Sequence, residues 1–205
     1  MHHCFSGETT PRKNVCTNGG TPRRTAIFYF SEYMTNTQSP ILCGIIGQPL
    51  AYTLSPAMHT AAAKELRLPL VYGTLRVDDD VLPALIASLR AQRFKGVNVT
   101  IPYKEAVLPL LDEIKDEAAA VGAVNTIVND HGTLIGYNTD ITGIERSLNS
   151  KRDTMRQQSV LILGAGGAAR AAAYAVAEFC SPQAITIFNR TRSRAEHLVQ
   201  HFLKL

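Results

Sequence analysis

A chain of 205 residues, 45% of them hydrophobic and 19% charged, is long enough for one large or two small domains with a buried core. No apolar run reaches the length of a membrane span, the net charge of +4 forms no basic stripe, and Cys4, Cys16, Cys43 and Cys180 show no CxxC spacing. These features argue against a membrane partner, a nucleic-acid partner and a structural zinc site, and for reduced thiols in the cytoplasm.

Residues 1–40 are expected to be a disordered extension, because Gly19-Gly20, Pro11, Pro22 and scattered arginines surround one apolar cluster, Ala26 to Phe30, too short for a signal-peptide core. Met34, just before a polar lead into the first strand, is an alternative translation start. Ile41 to Gly47 reads as a buried strand, and Ser55-Pro56 as an N-cap followed by proline at the first helical position. Ser55 on this reading caps its own helix. With Thr53 it also places two hydroxyls at a helix N-terminus, an arrangement suited to a carboxylate. His59, farther along the helix, is given no role.

Leu70 to Val77 is a second strand, and Asp78-Asp79-Asp80 precedes a helix over 81–92, where acids suit the positive end of the dipole. Val97 to Ile101 is then a β-branched run stopped by Pro102. Its C-terminal end delivers Thr100 and Lys104 to the edge of an open α/β sheet where ligands bind. Residues 112–121 are expected to be helical, ending at Gly122. Val124 to Val128 and Thr133 to Tyr137 form a hairpin around Asn129-Asp130-His131-Gly132, bracketed by Asn125 and Asp140. Asp140 also reads as the N-cap of a helix reaching Leu148.

The polar stretch 149–158 marks a boundary, giving a substrate-binding and catalytic domain over 41–150 and a dinucleotide domain over 151–205. Ser159 to Leu163 is a strand, and Gly164-Ala165-Gly166-Gly167-Ala168 turns from it into an alanine-rich helix. This is G-x-G-x-x-A between a strand and a helix, the context in which glycines bring backbone close to a pyrophosphate. Ala184 to Phe188 supplies the next strand, and Asn189-Arg190-Thr191-Arg192-Ser193-Arg194 follows it. An acid here would accept the ribose 2′-hydroxyl of NAD; arginines without that acid point to the 2′-phosphate of NADP. A solvated basic turn or a nucleic-acid patch is the alternative.

The stretches Tyr52-Thr53-Leu54-Ser55-Pro56-Ala57-Met58-His59, Gly96 to Glu105, Gly122-Ala123-Val124-Asn125-Thr126, Asn138-Thr139-Asp140, Gly164 to Ala168 and Asn189-Arg190-Thr191-x-x-Arg194, in this order, resemble the motifs of the shikimate dehydrogenase family. The resemblance covers about residues 41–205. It implies an N-terminal α/β substrate domain followed by the first half of a Rossmann-type NADP-binding domain, and the reversible, NADP-dependent reduction of 3-dehydroshikimate to shikimate in chorismate and aromatic amino-acid biosynthesis. By the same resemblance Thr53 and Ser55 would hold the substrate carboxylate; Thr100, Asn125 and Asp140 would bind ring hydroxyls; and Lys104 would be the acid/base, with Asp140 beside it. Gly164, Ala165, Gly166, Gly167, Ala168, Asn189, Arg190, Thr191 and Arg194 would bind NADP, and Asp116 matches a further cofactor position.

The pattern departs from the family at Thr53, where serine is usual, and at Ile141, where glycine is common. The chain also stops after β-α-β-α of the dinucleotide domain, whereas the family continues to a glutamine-bearing helix that returns to the substrate. A quinate/shikimate dehydrogenase and a truncated remnant that binds substrate without turnover are therefore the alternatives. A methylenetetrahydrofolate dehydrogenase-like protein shares a lysine-bearing first domain but fits the motifs poorly. The expected partner is the small-molecule substrate, and the expected oligomer a homodimer.

Overall fold

The computed structural model describes residues 27–29, 39–91 and 94–204. The expectation of disorder over 1–40 falls mostly on residues outside this set. Within it, Ile27–Tyr29 is a short strand, β1, laid antiparallel against Leu75 and its neighbours, so these three residues correct that expectation.

The chain is α/β. It continues as β2 (Ile41–Gly47), α1 (Ser55–Glu65), β3 (Leu70–Arg76), α2 (Leu82–Ala91), β4 (Phe94–Val99), β5 (Glu113–Ile114), α3 (Asp116–Val121), β6 (Thr126–Asp130), β7 (Thr133–Tyr137) and α4 (Asp140–Leu148). These strands form one mixed sheet in the order β1-β3-β2-β4-β6-β7-β5. β2 is parallel to both β3 and β4, while β6 runs antiparallel to β4 and to β7. A strand flanked on both sides by parallel neighbours is covered on both faces, which is why β2 is apolar nearly throughout and ends in buried Ile45 and Ile46.

Leu82, Leu85, Ile86 and Leu89 of α2 recur at helical spacing and are buried with Val97, Val99, Ile127 and Leu134 in the main core. Tyr103 closes that core from the loop after β4, its hydroxyl donating to the carbonyl of Val77 at 2.8 Å.

Three boundaries differ from expectation. β4 begins at Phe94 and ends at Val99, leaving Ile101 exposed, because after Val99 the backbone leaves the ladder for a series of turns through Val107. The stretch 112–121, expected to be one helix, opens as β5, paired parallel with β7, and becomes helical only at Asp116. A strand partner 22 residues away thus overrides the local helix preference of Glu113. Finally, Ser55 and Asp140 are the first residues of α1 and α4 rather than their caps; Leu54 and Thr139 hold the cap positions, without side-chain caps.

Beyond a 3₁₀ turn at Asn149–Lys151 and a short helix α5 (Arg152–Met155), β8 (Ser159–Leu163), α6 (Gly167–Cys180), β9 (Ala184–Phe188) and α7 (Arg192–Phe202) form a second, two-stranded parallel sheet with its helices. Ala171 and Ala175 of α6 are buried against Val121, Ala123 and Ile141. The small side chains let α6 approach closely, and Ile141 fills the seam that a glycine would leave open. The second apolar cluster therefore belongs to both units.

Candidate functional site

Sheet topology gathers the polar residues at one edge. The parallel strands β2 and β4 end there, which puts the loops carrying Thr53, Ser55, Thr100 and Lys104 side by side. β6 is antiparallel to β4, so it starts at that edge with Asn125 just ahead of it, and β7 ends there just before Asn138-Thr139-Asp140.

Lys104 Nζ donates to Asp140 Oδ2 at 2.5 Å, and Asn125 Nδ2 donates to Asp140 Oδ1 at 2.8 Å. Both carboxylate oxygens are thus engaged, and the ion pair is largely shielded, with the lysine side chain 17% exposed. Asn125 is buried and in turn held by the Thr139 backbone N–H, which donates to its Oδ1 at 2.9 Å. The Asp140 N–H donates to Asn138 Oδ1, and Asn138 Nδ2 donates to the Ala123 carbonyl. Since Asp140 does not cap its helix, its carboxylate is free to meet the lysine.

The polar chain runs on from Asn125. Thr126 Oγ1 donates to Asn125 Oδ1, Asn98 Nδ2 donates to Thr126 Oγ1, and the Tyr72 hydroxyl donates to Asn98 Oδ1 at 2.6 Å across the intervening strand β2. At the start of α1 the Thr53 hydroxyl donates to Ser55 Oγ at 3.2 Å. Burial pushes the Tyr72 phenol far above its ordinary range, and Ser55 offsets part of that rise. The phenol consequently remains a neutral donor. His59 stacks flat on Tyr72, with ring centroids 4.2 Å apart, which accounts for it as a packing residue. Tyr72 lies outside every motif stretch, and Asn98 and Thr126 lie inside two of them without a role being read for them; the available signal was Asn98, a polar residue placed between Val97 and Val99 in a buried strand.

Thr100 and Lys104 also line a cavity of about 600 Å³ whose far wall is Leu163, Gly164 to Arg170, Arg194 and His197. Lys104 is therefore the junction between the polar chain and the glycine loop. Gly164 has φ +117°, a conformation that side chains with a Cβ rarely adopt, and nothing would lie within 4 Å of a Cβ on Gly166. The loop thus leaves room for a bulky group at the N-terminus of the 14-residue helix α6, where free N–H groups and the helix dipole favour a phosphate. Arg194 and His197 add basic groups to the same cavity. Arg190 is exposed and outside the lining, Asn189 Nδ2 donates to the Thr191 carbonyl, and Thr191 holds the N-cap position of α7 without a side-chain cap. Asp116 is exposed at the start of α3, also outside the cavity lining.

Among the described residues no group of three or more His, Cys, Asp or Glu could hold a metal, and no helix is long and apolar enough to cross a membrane.

The family model described as shikimate dehydrogenase substrate binding domain matches residues 45–127, and the one described as shikimate/quinate 5-dehydrogenase matches residues 146–205. The chain belongs to the shikimate dehydrogenase family. It is 51% identical over 161 residues to the shikimate dehydrogenase (NADP(+)) of Carboxydothermus hydrogenoformans, covering 78% of this chain and 57% of that protein. It also superposes on the shikimate 5-dehydrogenase of Thermus thermophilus solved with NADP(H) and shikimate (TM-score 0.70, 38% identity, 79% of this chain and 60% of that one). The quinate dehydrogenase of Corynebacterium glutamicum solved with NAD is similar as well, with TM-score 0.70, 36% identity, and coverage of 81% of this chain and 61% of that one. The chain thus spans somewhat over half the length of the curated family members it matches.

Proposed function

We propose that this chain carries the substrate-binding machinery and the dinucleotide loop of an NADP-dependent shikimate dehydrogenase, acting in the cytoplasm on 3-dehydroshikimate and shikimate. The observation that carries the reading is the lysine–aspartate–asparagine cluster on a cavity whose opposite wall is a glycine-rich helix N-terminus. In this reading residues 41–150 are the substrate domain and 151–205 belong to the cofactor domain. The protein assembles as a homodimer and takes neither nucleic acid nor membrane as a partner.

Thr53 and Ser55 hold the substrate carboxylate at the start of α1, and Thr100, Asn125 and Asp140 hold the ring hydroxyls. Gly164, Ala165, Gly166, Gly167 and Ala168 would cradle the pyrophosphate of NADP, with Asn189, Arg190, Thr191 and Arg194 toward its 2′-phosphate and Asp116 as a further contact. When bound, NADPH supplies the hydride that reduces the ketone carbon. Lys104 provides the other half of the reaction: its ammonium gives a proton from Nζ to the carbonyl oxygen as negative charge grows there. In the oxidative direction Lys104 Nζ takes the proton back from the alcohol. Asp140 fixes the lysine by an ion pair, and Asn125 holds the second carboxylate oxygen so that Asp140 itself does not turn.

The test is to measure NADP-linked oxidation of shikimate alongside calorimetric binding of shikimate, in the 205-residue chain and in a form extended to the length of its relatives. Lys104→Ala is expected to lower turnover by about 10²–10⁴-fold while shikimate binding changes by less than about tenfold. Turnover that survives the substitution removes Lys104 from its role; binding without turnover in the parent chain favours a substrate-binding protein instead. A second reading, a quinate/shikimate dehydrogenase, is favoured by the likeness to a quinate dehydrogenase and by the added methyl of Thr53 in the carboxylate site. Relative turnover of quinate and shikimate separates the two.

A further inference from the structure

Between the glycine loop and the lysine there is no spare room. A Cβ built on Gly167 would come within 2.9 Å of both Cβ and Cδ of Lys104, so the aliphatic stem of the lysine lies directly on the backbone of the first residue of α6. Gly167 has no left-handed φ to explain its lack of a side chain. What it accommodates is the lysine.

One turn along α6, Arg170 reaches back over the same boundary. Its NH2 group pairs with Glu105 Oε2 at 3.0 Å, and its NH1 group points at the Val121 carbonyl at 3.5 Å. The arginine side chain is only 12% exposed, and its Nε has no partner. A guanidinium so enclosed is held in one place by its two forward contacts. Glu105 adjoins Lys104 in sequence, and the Lys104 carbonyl accepts from Val124 N–H at 2.8 Å. Arg170 therefore grips both segments that flank the lysine backbone, the turn after β4 and the end of α3.

We infer that Gly167 and Arg170 are positioning residues for Lys104: the dinucleotide loop, besides its part in binding a cofactor, is the wall and the brace that hold the proton-transfer group against Asp140. This inference rests on the proposed role of Lys104, but its geometric content stands apart from turnover. A lysine braced in this way reacts slowly with an amine reagent, and releasing the brace frees it.

The experiment is pulse labelling of the 205-residue chain with acetic anhydride, read lysine by lysine by mass spectrometry, with and without shikimate. Arg170→Met and Glu105→Gln are each expected to speed labelling of Lys104 by about three- to tenfold, the scale of losing one partly buried ion pair. The double variant should go no further than either single one, because both remove the same brace. Arg170→Lys should restore part of the protection. Lys64 and Lys151, exposed and remote from the brace, serve as internal controls and should not change. Where the charge variants lose the fold and all lysines accelerate together, Gly167→Ala decides: its methyl meets Lys104 Cβ and Cδ at 2.9 Å, so the lysine stem is displaced and Lys104 labels faster while unchanged rates at Lys64 and Lys151 report that the fold is kept. Lys104 rates within a factor of about two of the parent in Gly167→Ala, or in folded Arg170→Met and Glu105→Gln, overturn the inference. If these variants accelerate labelling but shikimate never protects Lys104, the positioning stands and the proposed substrate falls.

Discussion

The two sheets of this protein are built on the same parallel β-α-β unit and differ in how they are covered. Along β2, Gly44 through Gly47 are continuously buried, and the strand sits between β3 and β4. Along β8 and β9 every second residue is exposed although nearly all are apolar: Leu161 is 60% and Phe188 65% exposed. Sequence alone makes these strands look alike, since each is a short, mostly apolar run rich in Ile or Leu that ends at a glycine or a turn. The difference is tertiary. Among the described residues the first sheet has seven strands and closes its own core; the second has two, and α6 packs through its alanines on α4 and α3. A rigid frame thus carries the lysine, aspartate and asparagine, while the glycine loop is attached to that frame through α6, with His201 of α7 against the Ala120 carbonyl at 2.7 Å as a second point of contact.

If that contrast is real, the largest stability loss comes from the first core. Ile127 is wholly buried at the centre of the mixed sheet, paired with Val97 on one side and Gly136 on the other. Ile127→Ala should cost about 2–5 kcal/mol in urea unfolding, the transfer of the lost methyl groups plus the cavity they leave. A loss below about 1 kcal/mol would show the sheet to be far looser than its packing.

Alkaline pH probes the same core through Tyr103. Burial, aided by the neighbouring Asp79 carboxylate, pushes its phenol up from 10.0 to about 12. Below pH 10 the phenol is protonated in both folded and unfolded chains and costs nothing. Above it the unfolded chain loses the proton first, so stability falls as pH rises through the folded value, by about 2–3 kcal/mol across that window. Tyr103→Phe should flatten this part of the decline relative to the parent. Equal slopes for parent and variant between pH 10 and 12 would remove the phenol as the cause.

Much of this architecture is readable in the chain because its signals are local. Pro56 at a helix start, Gly122 in the left-handed position at the end of α3, and the His131-Gly132 pair at the hairpin turn each mark a break that the backbone honours. The glycine loop is equally readable, since strand, glycines and helix are consecutive. What sequence does not disclose depends on partners far away. β5 is a strand only because β7 lies beside it, and Ser55 and Asp140 leave their capping positions because the site offers other neighbours. The relay from Tyr72 through Asn98 to Thr126 joins three strands, and the Glu105–Arg170 pair joins two units; neither has a spacing to betray it.

On the proposed function, the second unit would hold the cofactor's 2′-phosphate through few side chains, which gives a smaller and more specific effect. Arg194 lines the cavity, whereas Arg190 is exposed outside it and Arg192 is tied to Glu196 at 2.7 Å. Arg194→Ala should therefore lower the preference for NADP over NAD by about 1–3 kcal/mol, the range of a charge-assisted hydrogen bond. Arg190→Ala should change it less. Isothermal titration with both nucleotides checks the order, and a larger loss at Arg190 would mean that the loop rearranges around the 2′-phosphate.

The smallest effect sharpens the comparison most. Leu161 has the chemistry of a core residue and the exposure of a surface one, and it lies outside the cavity lining, so cofactor contacts do not complicate it. If the outer face of β8 and β9 is open in the isolated chain, Leu161→Thr removes little buried apolar area and keeps a strand-favouring, β-branched side chain. Its unfolding free energy should then stay within about 0.5 kcal/mol of the parent, against several for Ile127→Ala. The substitution should also reduce self-association, since an exposed apolar strand face is a surface that other chains can cover. The discriminating measurement is urea unfolding repeated over a hundredfold range of protein concentration. A loss at Leu161 approaching 2 kcal/mol that grows with concentration would mean that a second copy covers this face in solution. The contrast between the two sheets would then belong to the monomer and not to the working protein.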